Sequence, residues 1–351
     1  MSVRPVLVTG ASGFVGGWVA AKLAERGMAV RALYRRARPP QALLRLQEGG
    51  AELLRGDLAE ADAAARAVEN VEAVVHAAGP SQYWGPEELF RRDVYEATLG
   101  LLEASRAAGC RSFVYLGSLS VHGLGPHRGS TEEGPYYPLI THYQRYKRQT
   151  EQAVIAANAE GFTTVVLRPA DVYGPGDITT FYRLLHYQKK GVRGVVGSGR
   201  FLTSLVYVED LAEAVALALA SEEAAGEIIN ITGGETVTWR EVLELSASLL
   251  GVRPWLTLPV PVARFAVEAI LRPLFSLVPL AVGQYLTRYA IEHVSHDYHF
   301  TIDKARRLLG FEPKVGWREG VGRTVEAYRE SERAGVAAGR TGPGERGAGD
   351  P

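Results

Sequence analysis

Val6-Leu7-Val8-Thr9-Gly10-Ala11-Ser12-Gly13-Phe14-Val15-Gly16 opens on a short apolar run and closes on three glycines, each three residues after the last. The run reads as a buried strand. The glycines read as the turn that follows it. The first permits a tight bend, the second lets backbone approach a pyrophosphate, and the third lets the next helix pack closely on the strand. The pattern predicts a helix from about Phe14 to Arg26 whose positive end points at the phosphates. Glycine triplets also mark ordinary loops. The strand before this one and the amphipathic helix after it select the dinucleotide reading.

Working outward, strand patterns recur at Val3 to Val8, Ala29 to Leu33, Ala51 to Leu54, Ala73 to His76, Ser112 to Leu116 and Thr163 to Leu167, with helical patterns between them. This alternation predicts an α/β fold built on a mostly parallel, doubly wound sheet, whose strand ends share one crevice. Beyond Arg168 the pattern loosens. We expect residues 1–175 to form a dinucleotide-binding domain, with 206–231 returning to it through a helix near Val208 and a strand at Glu227 to Ile231. Residues 176–333 then form mainly a smaller C-terminal substrate-binding lobe. The run 334–351, with almost nothing apolar to bury, reads as a disordered tail.

The chain has 351 residues, 46% of them hydrophobic, and its 39 basic and 39 acidic side chains cancel. That balance argues against a nucleic-acid partner and against steering toward an anionic membrane. The single cysteine, Cys110, excludes an intrachain disulfide and a cysteine-based metal cluster, and points to a reducing, cytoplasmic compartment. The first apolar stretch feeds a glycine turn and does not read as a signal peptide. The long apolar region from Pro259 to Leu286 is interrupted by Arg264, Glu268, Arg272 and Pro273, so it is a poor membrane span. Peripheral membrane contact, or a cover over the substrate, stays open for it.

The chemistry centres on Tyr143 and Lys147. Four residues apart on a predicted helix, they lie on one face, one turn from each other. Hydride transfer at a carbinol carbon needs a partner that gives or takes a proton at the oxygen. A phenol, with an ordinary pKa of about 10, needs a neighbouring cation to serve near neutrality. Lys147 is expected to lower the pKa of Tyr143 and to hold the ribose hydroxyls of the cofactor. Ser118, just after the strand that ends at Leu116, is placed to hydrogen-bond the substrate oxygen. Tyr146 is adjacent to Lys147 and so falls on the wrong face. His76, His122 and His142 lie in the same regions, but their spacing offers no tetrahedral set, so no metal site is expected and they read as hydrogen-bonding or cofactor-lining residues.

Thr9 to Gly16, Gly56-Asp57-Leu58, His76-Ala77-Ala78-Gly79, Leu116 to Gly123, Tyr143 to Lys147 with Glu151, Leu167 to Gly176 and Val206 to Asp210 follow one another in an order that resembles an extended short-chain dehydrogenase/reductase, over residues 3 to about 330. The resemblance implies a Rossmann fold, a homodimer, and the roles already argued for Ser118, Tyr143 and Lys147. It further implies that Gly10, Ser12, Gly13, Phe14, Val15 and Gly16 cradle the cofactor, and that Asp57, beside Leu58, contacts the adenine amine. Ala77, Ala78 and Gly79 would pass beneath the adenosine, while Pro169, Ala170 and Val172 would face the nicotinamide amide. One position departs. Where such enzymes often carry an asparagine that supports the lysine through a water, this chain has Val94, which puts a catalytic tetrad in doubt and leaves the triad.

An acid closing the second strand would accept the ribose hydroxyls of NAD and repel a 2'-phosphate. Here the segment ends Leu33-Tyr34-Arg35-Arg36, and the two arginines favour NADP(H), with NAD(H) as the alternative. The second strand resembles the dihydroflavonol-reductase group. Leu286 to Tyr289, with Phe300 and Lys304 to Pro313, resembles 3β-hydroxysteroid dehydrogenases. Both resemblances imply a bulky, largely apolar alcohol or ketone. A nucleotide-sugar epimerase that retains NAD is the alternative, and a non-catalytic dinucleotide sensor the third reading. Helices near Pro86 to Ala107 and Tyr137 to Asn158 are candidates to pair across a two-fold axis.

Overall fold

The computed structural model describes residues 4–60, 62–191, 194–253, 256–266, 269 and 287–334. Its frame is a seven-stranded sheet of β1 (Val6–Thr9), β2 (Val30–Tyr34), β3 (Glu52–Arg55), β4 (Ala73–His76), β5 (Ser112–Leu116), β6 (Thr163–Pro169) and β7 (Ile228–Ile231). All pairings are parallel, and the spatial order is β7-β6-β5-β4-β1-β2-β3. Strand order therefore reverses between β1 and β4, which opens a crevice at the carboxyl ends of those two strands. The fold is the doubly wound α/β sheet expected from the alternation, with β2 and β3 each beginning one residue later than read.

The central strands are buried on both faces, and their sequences match that demand. Leu7, Val8, Val74, Val75, Phe113 and Val114 are fully enclosed. Helix α1 (Phe14–Glu25) turns Gly16, Val19, Ala20 and Leu23 inward. The chain later supplies an alanine-rich helix, here α4 (Val208–Ala220), buried along most of its length, while β7 adds the edge strand beside β6. Between them lie α2 (Ala97–Ala107) and α3 (His142–Ala156).

A second, four-stranded sheet runs Val237–Thr238, Leu202–Thr203, Tyr298–Phe300, His127–Ser130. Its last strand comes from the first half of the chain and its others from the second, so the smaller lobe is stitched across the crevice.

Two helical readings need correction. The segment expected as helix from Tyr137 starts at His142, because Thr141 caps it: the Thr141 side chain accepts from the Gln144 amide and the Gln144 side chain reaches back. The segment from Pro86 to Ala107 is helical from Glu87, but a π-helical turn at Arg91–Glu96 interrupts it. Such turns re-aim one carbonyl, and here Val94 sits inside the turn.

Of the apolar region 259–286, residues 259–266 and 269 are described. In the helix Val260–Phe265, Ala263 packs on Ile291 while Val262 is 48% and Phe265 65% exposed, so this end is not buried core. The rest of that region, and the C-terminal run from residue 335, lie outside the described residues. Among the described residues no helix is long and apolar enough to cross a membrane.

Candidate active site

The glycine turn is held by its own backbone. Gly10 has φ +68°, and a Cβ there would come within 2.8 Å of Ala78 backbone; a Cβ on Gly16 would come within 2.3 Å of the Gly10 carbonyl oxygen. Gly13, by contrast, is exposed, and it begins α1 without any side-chain cap. The first amides of α1 are thus left to an external acceptor, which is what a pyrophosphate provides. Ser12, Phe14 and Val15 are half-buried around this opening, and Ala77 and Ala78 form its opposite wall with exposed Gly79 beyond. These features fit a dinucleotide.

A hydrogen-bond chain with one consistent polarity fixes that wall. The Ala78 amide donates to Thr9 Oγ1 at 3.1 Å, leaving the Thr9 hydroxyl to donate to His76 Nδ1 at 2.7 Å. His76 Nε2 then donates to Thr98 Oγ1 at 2.9 Å, and Thr98 donates to the Val94 carbonyl. Every hydroxyl donates once, so the ring carries its proton on Nε2 and is neutral. Burial, helped by the Lys147 charge, pushes its pKa down to about 3. His76 is therefore a strut between the turn and the π-helical carbonyl. Of the other two histidines singled out in sequence, His122 accepts from Arg168 in the protein interior, and His142, near the surface beside Glu87, accepts from Arg145, so both are hydrogen-bonding residues.

At the far edge of the crevice, Asp57 accepts from the Ala59 amide through one oxygen and from Arg35 through the other, at 3.3 Å. Arg35 also lies 3.8 Å from Asp93, and its side chain remains 65% exposed. Arg36 is exposed and Leu58 half-buried. Arg35 and Asp57, read separately in sequence, thus form one ion pair.

Tyr143, Lys147 and Ser118 converge. Tyr143 and Lys147 are both buried on α3, and the buried Ser118, just beyond β5, stands near enough to the phenol to favour its ionised form. Ser118 is itself held, donating to Ser120 Oγ at 2.9 Å and accepting from the Ser120 amide. The expectation that Lys147 lowers the Tyr143 pKa is not met in this geometry. Lys147 Nζ donates to the Leu116 carbonyl at 2.7 Å and stands 4.7 Å over the Tyr115 ring, against 5.9 Å to the Tyr143 ring centre. Burial dominates the phenol and pushes it up to about 12, with Ser118 opposing; burial likewise pushes Lys147 down to about 8, with Glu151 opposing. Val94 packs its side chain on Phe90 and Tyr143. Its carbonyl accepts from Thr98 and, at 3.4 Å, from Thr150. The position that would carry a relay amide is an apolar contact.

Sequence reasoning missed the wall facing this tyrosine. Tyr83 meets Tyr143 edge-on at 5.0 Å and stacks on Tyr289 at 3.7 Å; Tyr289 stacks in turn on His293 at 5.7 Å, and His293 meets Tyr298 at 4.6 Å. His293 Nε2 bonds Asp171 Oδ2 at 2.7 Å, tying this lobe to the strand Asp171–Tyr173 that follows half-buried Pro169 and buried Ala170. Val172 lies beside Asp171, half-buried. These residues come from segments some two hundred positions apart, and no spacing rule links them. Tyr289 and Asp171 fall within quoted motifs without their meeting being read there, and a local cue to the helix Arg288–His293 is its cap, Thr287.

A profile of the NAD dependent epimerase/dehydratase family matches residues 6–232, more than half of the chain. The chain belongs to this family. A 2-alkyl-3-oxoalkanoate reductase of Stenotrophomonas maltophilia is 31% identical, over 91% of this chain and 97% of the relative. A 3 beta-hydroxysteroid dehydrogenase/Delta 5-->4-isomerase of Mycobacterium tuberculosis is also 31% identical, over 88% and 86%. Among solved structures, MoeE5 in complex with UDP-glucuronic acid and NAD is 26% identical, with a TM-score of 0.75 over 93% of this chain and 99% of that one. With such relatives this member of the epimerase/dehydratase family is an enzyme of the short-chain dehydrogenase/reductase type, in the extended group and using a nicotinamide dinucleotide. Among its described residues no group of three or more His, Cys, Asp or Glu is placed to hold a metal ion.

Proposed function

We propose that the chain is an NADP(H)-preferring oxidoreductase acting between a carbinol and a ketone on a bulky, largely apolar substrate, sterol-like or otherwise cyclic. The observation that carries this is the buried Tyr143 phenol, beside Ser118, one helical turn from Lys147 and faced edge-on by Tyr83, which stacks on Tyr289. The aromatic wall suits an apolar ring system. Two relatives at 31% identity, named as a reductase of branched oxo acids and as a hydroxysteroid dehydrogenase, support the same class.

Gly10, Ser12, Gly13, Phe14, Val15 and Gly16 would hold the pyrophosphate, Asp57 and Leu58 the adenine, Ala77 to Gly79 the adenosine underside, and Pro169, Ala170 and Val172 the nicotinamide amide. Arg35 and Arg36 would take the 2'-phosphate, with Arg35 leaving Asp57 to do so. The bound nicotinamide supplies the hydride in reduction and accepts it in oxidation. The chain handles the proton. In reduction, the phenol proton of Tyr143 passes to the carbonyl oxygen, whose π electrons become the new O–H bond, and the resulting phenolate is stabilised by the Lys147 ammonium. Ser118 orients the oxygen. A phenol that stays protonated to about pH 12 is always loaded for this direction. We also propose a cytoplasmic homodimer pairing α2 and α3 across a two-fold axis.

The test is consumption of NADPH with a panel of cyclic ketones. Tyr143→Phe is expected to lower kcat by about 10²- to 10⁴-fold, the range for losing a positioned acid; full activity in that variant would sink the assignment. A nucleotide-sugar epimerase would instead purify with NAD bound and consume no added NADPH.

A further inference from the structure

Arg168, one residue before Pro169 on β6, buries its whole side chain, and each N–H of its guanidinium meets an acceptor. Nε and Nη2 donate to the two oxygens of Glu151 at 3.0 and 2.5 Å, and Nη1 donates to His122 Nε2 at 2.8 Å and to the Glu132 carbonyl at 3.1 Å. The Tyr136 hydroxyl accepts the remaining proton at 3.2 Å. His122 can accept only as a neutral ring, which leaves its Nδ1 proton for the Pro135 carbonyl at 3.2 Å. One cation thus meets three parts of the site. His122 closes the short turn Leu119–His122 that begins after Ser118, Glu151 lies on α3 with Tyr143 and Lys147, and Arg168 itself leads into Pro169 and Ala170.

Taking an ion pair out of water is costly, and apolar side chains of similar volume often pack as stably in its place. Packing therefore does not account for these charges. Tyr143, Lys147 and Glu151 follow one another at intervals of four and share the buried face of α3. The Lys147 ammonium is enclosed there and donates to the Leu116 carbonyl. The other titratable side chains that face it are His76 on β4, Tyr115 on β5 and Tyr143 on its own helix. All three are uncharged near neutrality, because burial pushes the imidazole down to about 3 and both phenols up. Glu151 brings the carboxylate that opposes the burial of Lys147. Burial lifts the Glu151 carboxyl too, but Arg168 in contact, and Arg148 and Lys147 beyond it, oppose that. A carboxyl that accepts at both oxygens from a guanidinium is the ionised form.

We infer that Glu151, oriented by Arg168, is a positioning residue of this site: its carboxylate is the counter-charge that keeps the buried Lys147 cationic for the proton step at Tyr143. This rests on the oxidoreductase reading and deepens it. Enclosed at 1% exposure, Glu151 acts through Lys147 and not on the substrate. The guanidinium sets the place of the carboxylate and ties it to the turn after Ser118 and to the strand before Pro169.

The experiment uses the full chain with carbon-13 at lysine Cε, whose chemical shift reports the charge of each ammonium. The lysines are Lys22, Lys147, Lys189, Lys190, Lys304 and Lys314, so the spectrum is small and Lys147→Arg assigns the signal of interest. In the wild type that signal should titrate at about 8. Glu151→Gln should lower the midpoint by about one pH unit or more, the effect of one opposite charge a helical turn away. The alkaline limb of kcat for ketone reduction by NADPH should move down with it. Glu151→Asp keeps the charge and should hold both within about half a unit of wild type. Because Glu151→Gln leaves a buried guanidinium unpaired, the double variant Glu151→Gln with Arg168→Met is measured beside it. Its midpoint should fall as well, since it is the Glu151 charge that acts on Lys147. An unchanged midpoint in a folded variant overturns the proposal, and so does the failure of both to fold, which would make the pair a folding element. The midpoint is read without turnover, so the two readings fail separately. A midpoint that moves in a chain that reduces no ketone upholds the counter-charge and sinks the oxidoreductase reading. Ketone reduction whose alkaline limb stays fixed while the midpoint moves keeps that reading and overturns the role of Glu151 in the proton step.

Discussion

Acidification is expected to unfold this chain through its histidines. His76, His122 and His127 are fully buried and neutral, with pKa values pushed down to about 3, 3 and 4, chiefly by burial. An unfolded histidine titrates near 6.5, so between that value and the folded pKa the unfolded chain binds protons that the native chain refuses. The stability these residues contribute is therefore present above pH 6.5 and lost as pH falls toward 4. At pH 5 each histidine costs about 2 kcal/mol relative to neutrality, about 6 kcal/mol for the three, which approaches the whole stability of an ordinary domain. Glu132, Glu151, Asp177 and Asp210 are raised by burial and act in the opposite sense, so they limit the loss at the acid end of this window. Urea unfolding followed by tryptophan fluorescence at pH 7.5, 6.5, 5.5 and 5.0 measures the slope, expected near 4 kcal/mol per pH unit below 6. His76→Gln should lower stability at pH 7.5 by cutting the Thr9 to Thr98 chain, yet flatten the pH dependence by about one third. Stability that changes by less than about 1 kcal/mol from pH 7.5 to 5.0 would refute the reasoning, as would a His76→Gln variant with the full dependence.

Arg35→Asp should weaken NADPH binding by tenfold or more and leave NADH nearly unaffected, the usual consequence of setting an acid against a phosphate; equal affinities before and after, by fluorescence titration, would remove the phosphate-clamp argument. The Lys147 ammonium, depressed to about 8, is charged below that pH and neutral above it, so kcat for ketone reduction should decline above pH 8. In Lys147→Arg the group stays charged, and any residual activity should lose that decline; a wild-type rate flat to pH 10 would show that the ammonium does not support the phenolate.

The frame was legible because its parts obey local rules. β1, the glycine turn and α1 are contiguous, and the requirement for glycine at positions 10 and 16 follows from backbone meeting backbone at under 3 Å. Tyr143 and Lys147 were legible for the same reason, since a four-residue spacing on a helix needs no tertiary knowledge. Of the departures, one is local and one is tertiary. The helix expected from Tyr137 begins at His142 because Thr141 and Gln144 form a capping box there. Arg35 and Asp57 were given separate tasks because their pairing depends on how β2 and β3 lie side by side.

Polarity at the tyrosine was not legible, and the reason is physical. A spacing of four places an ammonium on the right face but says nothing of which acceptor it finds, and the Leu116 carbonyl on the neighbouring strand takes it at 2.7 Å. Desolvation of the phenol is then the dominant influence on its ionisation. The wall facing Tyr143 was less legible still, since Tyr83, Asp171, Trp239, Tyr289, His293 and Tyr298 come from a loop, two strands and two helices far apart in the chain. Aromatic residues at such positions are ordinary in sequence. In this chain the Tyr143 and Lys147 pair is therefore set at short range along one helix, whereas the wall that faces it is assembled from both halves, Tyr83 and Asp171 from the first and Tyr289, His293 and Tyr298 from the second.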